Sequence, residues 1–208
     1  VGSEMCIRDS ALSTGDKIAK LYLETWRETL EGQLDEINFN SKDLNNSSIS
    51  AESKFFQVYS HIIDLKTAAL FASACKVAAI WADSTDEIAD ILGKYGREVG
   101  FAYQLADDLV DLEKGEMIDS VVIPLLSKIE KKSIKNGTLT ARKIKKKIEK
   151  NSPEIKRLYI DEITNHINQS KELSSNPLIP NNHYTKYLQN APAYIINRML
   201  EEINITIK

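Results

Sequence analysis

Three carboxylates stand inside an apolar stretch, GFAYQLADDLVDLEKGE at residues 100–116. Asp107, Asp108 and Asp111 are surrounded by Phe101, Ala102, Tyr103, Leu105, Ala106, Leu109, Val110 and Leu112. A helix turns about 100° per residue, so Asp107 and Asp111 lie about 40° apart on one face, with Asp108 on the adjoining edge. Gln104 precedes Asp107 by three residues and falls near the same stripe. Like charges at this spacing destabilise a bare helix by a few tenths of a kcal/mol per pair, and burying them unpartnered costs several kcal/mol more. A cation should therefore meet them. Lys114 is the only lysine or arginine within a turn, and it sits at the edge of the stripe. Hard oxygen ligands suit Mg²⁺, which commonly bridges protein carboxylates to substrate phosphates. The competing reading is an exposed face that the aspartates merely solvate; the apolar flanks argue against it.

A second candidate is Lys66 in HIIDLKTAALFA, residues 61–72. A lysine in an apolar helix needs an anion or a route to water. It fits a point-charge contact to phosphate, with the Thr67 hydroxyl beside it, or equally a surface lysine that reaches solvent. EGQLDE, with Gln33 and Asp35, is a third feature with a surface explanation as its default.

The elements that must position these residues read as helices. Strand-like alternation is almost absent, and glycine (8) and proline (5) are few. The spacing predicts a helix over 14–37, capped by Thr14 or Asp16, with Ile18, Leu21, Tyr22, Trp26, Leu30 and Leu34 at three- and four-residue steps. A polar loop ends at a cap, Ser50, before a long apolar segment over 51–82 that breaks near Lys66. Ser84 or Thr85 caps the next helix, which runs to about Gly115 and carries the aspartates. Further helices are predicted at about 120–134, 139–150, 154–173 and 184–203. The basic run RKIKKKIEK, residues 142–150, reads as a solvated face before a phosphate- or membrane-touching patch.

The 208 residues are 42% hydrophobic and 27% charged, which suits one domain with a real core. A formal charge of −3 gives no support to nucleic acid or an anionic membrane as partner. No apolar run approaches the roughly 18 residues of a membrane span. The two cysteines, Cys6 and Cys75, have no metal-type spacing and suit a reducing cytoplasm. Residues 1–10, VGSEMCIRDS, lack any helical or strand period and read as a translated sequencing or cloning remnant, leaving 11–208 as the domain.

In order along the chain, these motifs resemble the polyprenyl diphosphate synthases of the isoprenoid-synthase fold. ALSTGDK at 11–17 is similar to a Gly-Asp helix start, EGQLD at 31–35 to Gly-Gln-x-x-Asp, and LKTAALF at 65–71 to a Lys-Thr motif. GFAYQLADDLVD at 100–111 resembles the second aspartate-rich motif, and YLQNAPAYIINRMLEE at 187–202 the C-terminal helix. The resemblance implies an all-α bundle of long antiparallel helices around a central cavity, of which this chain holds the C-terminal two-thirds. It implies that Asp107, Asp108 and Asp111 bind Mg²⁺, and that Lys66, Thr67 and Gln104 line the diphosphate site. It further implies a prenyltransferase that condenses an allylic prenyl diphosphate with isopentenyl diphosphate, of the farnesyl or geranylgeranyl type, acting as a cytoplasmic homodimer. The first aspartate-rich motif is expected N-terminal to residue 11, so the chain by itself is expected to be inactive. The family's Gly-Lys-x-Thr-x-Pro pattern is reduced here to EKGEMIDSVVIP, keeping Pro124 without the lysine; Lys114 is the nearest stand-in. That departure leaves open a non-catalytic subunit serving a catalytic partner.

Overall fold

The structure is a computed structural model and describes residues 15–38, 59–115 and 141–207. Every regular element among them is helical. Helix α1 spans Asp16–Asn38. Residues 59–63 are helical and run through a five-residue π-helical turn, Asp64–Ala68, into α2, Ala69–Trp81. Helix α3 spans Asp86–Lys114, α4 spans Ala141–Ser174 and α5 spans His183–Leu200, followed by a single 3-10 turn, Glu201–Ile203. The expected cap at Ser50 and the expected helix over 120–134 lie outside the described residues.

Helix α3 is the axis of the molecule: α2, α4, α5 and the π turn all pack on it. Its ends are set by sequence. The Thr85 hydroxyl accepts from the Ile88 amide, Asp86 and Glu87 favour the positive N-terminus, and Gly115 closes the C-terminus in the left-handed conformation at φ 76°. Its buried face, Ala102, Leu105, Ala106, Leu109 and Leu112, meets Ile155, Tyr159, Ile163 and Ile167 of α4 and Ile196 and Leu200 of α5.

The expectation of two helices at 139–150 and 154–173 is corrected: α4 is one 34-residue helix with Pro153 inside it. Proline normally breaks a helix by removing a donor and crowding the preceding turn. Here Ile155, Tyr159, Ile163 and Ile167 step down one face at four-residue intervals and are buried. That packing outweighs the local penalty. The basic run at its start has Lys143, Lys146 and Lys150 exposed, as a solvated face requires.

Helix α1 turns its apolar stripe away from the bundle. Of the residues that mark its period only Ile18 is buried, while Tyr22, Trp26, Leu30 and Leu34 are exposed, with Leu23 and Ile37 beside them. The face packed inward carries Ile18, Thr25 and Gly32.

Close approach around the π turn depends on glycine. A Cβ at Gly32 of α1 would lie 2.8 Å from Leu65 Cβ and 2.9 Å from the Lys66 nitrogen. A Cβ at Gly100 of α3 would lie 2.6 Å from Ala68 Cα. The turn is held between two helices that approach its backbone closely, each at a glycine.

Candidate active site

The π turn carries Lys66 and Thr67. Such turns admit an extra residue into a helix, re-aim its side chains, and are frequent at functional sites. Arg97 of α3 anchors it, donating to Asp64 at 2.5 Å and to Glu28 of α1 at 3.4 Å. Lys66 donates to Glu36 of α1 at 2.6 Å, with both side chains more than a third exposed.

Thr67 ties this turn to the aspartate helix. Its hydroxyl donates to Gln104 Oε1 at 2.9 Å. The Gln104 amide in turn donates to Asp108 Oδ1 at 3.0 Å and to Asp107 Oδ2 at 3.4 Å. The helix carrying Asp107 therefore lies against the segment carrying Lys66, and Thr67, Gln104, Asp107 and Asp108 form one hydrogen-bonded group.

The three aspartates do not share one environment. Asp107 and Asp111 are half-buried, on one face, and no described cation is ion-paired with either. Burial, and then the neighbouring charge of Asp111, hold the Asp107 carboxyl above the usual aspartate range. Lys114, at the edge of the face, reaches away to Glu202 at 2.6 Å. Asp108 is only 7% exposed. Its Oδ2 accepts from the Tyr59 hydroxyl and its Oδ1 from Gln104. Burial pushes its carboxyl up to about 6, against the pull of those two donors. Among the described residues no three His, Cys, Asp or Glu side chains are gathered as a metal site. The outward set is thus two carboxylates, Asp107 and Asp111. A pair of carboxylates with no ion-paired cation among the described residues fits Mg²⁺, which takes one or two carboxylates and fills its remaining positions with water and phosphate.

Glu36, Tyr59, Arg97 and Tyr159 were not singled out from sequence. Counting Gly-Gln-x-x-Asp from Gly32 lands on Glu36, not Asp35, and it is Glu36 that reaches Lys66; Asp35 instead faces His61 at 3.4 Å. That count was available in the sequence. Nothing in the sequence links Tyr59 or Tyr159 to Asp108, because the contacts are tertiary.

The polyprenyl synthetase family model matches residues 4–172. The chain belongs to the polyprenyl synthetase family. Among family members, the geranylfarnesyl diphosphate synthase of Natronomonas pharaonis is 36% identical over 88 residues, covering 42% of this chain and 23% of that protein. The geranylgeranyl diphosphate synthase of Methanosarcina mazei is 30% identical over 95 residues, covering 46% and 26%. The crystal structure of a Caulobacter crescentus polyprenyl synthase complexed with calcium and isoprenyl diphosphate superposes with a TM-score of 0.69 at 21% identity. That match covers 89% of this chain and 60% of the other, and it shows that the all-α bundle is the isoprenoid-synthase fold. The chain thus spans only part of the length of the polyprenyl synthetases it matches. No described helix is long and apolar enough to cross a membrane.

Proposed function

We propose that the Asp107–Asp111 face and the Lys66–Thr67 turn bind the diphosphate of an allylic prenyl substrate, which the whole protein condenses with isopentenyl diphosphate. The observation that carries this reading is the carboxylate pair on α3, with no ion-paired cation among the described residues, joined through Gln104 and Thr67 to a lysine-bearing π turn. Asp107 and Asp111 would hold Mg²⁺, which when bound neutralises charge building on the departing diphosphate. Lys66 adds a point charge from the other helix, and the Thr67 hydroxyl and Gln104 amide fix orientation. The farnesyl-to-geranylgeranyl range is the proposed product class. The exposed stripe of Tyr22, Trp26, Leu30 and Leu34 supports a homodimer; a monomer mass by light scattering would contradict it.

The test is incorporation of labelled isopentenyl diphosphate by the complete gene product with geranyl or farnesyl diphosphate as primer. Prenyl product that requires Mg²⁺ and is lost in Asp107→Ala supports the reading. Retained diphosphate binding without product would point to a non-catalytic subunit.

Lys66 must leave Glu36 to reach a ligand. An ion pair this exposed contributes about 0.2–1 kcal/mol. Glu36→Gln should therefore tighten binding of an allylic diphosphate analogue by up to about fivefold. Weaker binding in a calorimetric titration would mean that Glu36 helps to present the lysine instead of competing for it.

A further inference from the structure

We infer that Asp108 is a positioning residue: its buried carboxylate, held between Tyr59 and Gln104, fixes the Gln104 side chain that registers Thr67 against Asp107. The inference deepens the proposed diphosphate site and rests on that reading for its consequence, but its geometry stands by itself.

Asp108 lies about 100° around α3 from Asp107 and faces the packed side of the helix. At 7% exposure, and with a donor on each oxygen, it has little left to offer a cation at the Asp107–Asp111 face. Behind it the buried Tyr159 of α4 is an electrostatic neighbour of both Tyr59 and Asp108. Tyr59 has one hydroxyl proton, and it is given to Asp108. The result is a continuous relay across three elements: Tyr59 of the helical segment 59–63, Asp108 and Gln104 of α3, and Thr67 of the π turn. Buried polar chains of this kind are rigid when every member is satisfied and fail together when one is removed.

Gln104 shows why the relay matters. An amide has two faces and rotates freely unless both ends are held. Thr67 holds the oxygen end at 2.9 Å and Asp108 the nitrogen end at 3.0 Å. The contact to Asp107, at 3.4 Å, is the longest and follows from the other two. Removing the Tyr59 proton leaves the Asp108 carboxylate short of a donor. It then turns, Gln104 follows, and the Asp107 contact is lost.

The test is read on Gln104 in the metal-free chain. Its side-chain amide signals in a ¹H–¹⁵N spectrum are assigned by their loss in Gln104→Met. Tyr59→Phe and Asp108→Asn should both move them, and the double variant should move them no further. In parallel, Tyr59→Phe should weaken an allylic diphosphate analogue by about tenfold, with the Mg²⁺ concentration for half-saturation unchanged. Unmoved Gln104 signals in Tyr59→Phe would overturn the inference, as would an Asp108→Asn shift in the Mg²⁺ midpoint as large as that of Asp107→Asn. Absence of analogue binding by the parent would defeat the proposed function, and the Gln104 signals would still decide the relay.

Discussion

Replacing Asp107 by alanine is expected to lower affinity for an allylic diphosphate in the presence of Mg²⁺ by about a hundredfold, roughly 2.7 kcal/mol. Asp111→Ala should lose a similar amount, because the two carboxylates share one face and Mg²⁺ uses one or two protein carboxylates before phosphate and water complete its shell. The same substitution should leave the metal-free fold at least as stable. Burial and the charge of Asp111 both disfavour the Asp107 carboxylate, so its removal relieves a repulsion. A residue that weakens binding while sparing or raising the melting temperature is held for function. If Asp107→Ala instead lowered the melting temperature and left Mg²⁺-dependent affinity intact, the face would be structural.

Gly100→Val should destabilise the chain by about 3 kcal/mol. Helix propensity alone predicts a small gain of a few tenths of a kcal/mol, since glycine is a poor helix former. Contact geometry outweighs it. The new Cβ would stand 2.6 Å from Ala68 Cα and 3.2 Å from Phe71 Cβ, and the first of these is backbone that cannot swing aside. For a chain of this size the melting temperature should fall by about 6–12 °C. The π turn would be pushed from α3, so the surviving folded protein should also lose the Thr67–Gln104 contact. A melting temperature equal to or above the parent's would show that α2 and α3 separate at little cost.

The helical class was open to reading because α3 announces itself: a Thr85 cap, acidic residues in the first turn, a 3.6-residue period and a terminal Gly115 all agree. The aspartate face was legible for the same reason, since helical geometry fixes which of Asp107, Asp108 and Asp111 share a side. What each does there was less legible. Asp108 looks like its neighbours in sequence, and only packing against Tyr59 and Tyr159 sets it apart. Pro153 misled because a proline's local penalty is visible and the four-residue ladder of isoleucines and a tyrosine that overrides it counts only once α3 is opposite. The stripe on α1 predicted a helix correctly but not which face is covered, because periodicity reports an apolar side and not what covers it. The π turn was legible only as the expected break near Lys66, with Gly32 and Gly100 on the flanking helices as a further trace.

The most direct measurement is a pair of calorimetric titrations of the parent chain with a non-hydrolysable allylic diphosphate, one with Mg²⁺ and one with the metal chelated away. The carboxylate pair should repel a bare diphosphate and accept a metal-bridged one. Saturable binding with Mg²⁺, weakened at least about a hundredfold without it, is the predicted result. Equal binding in both titrations would contradict the assignment of Asp107 and Asp111 as the metal-bearing face.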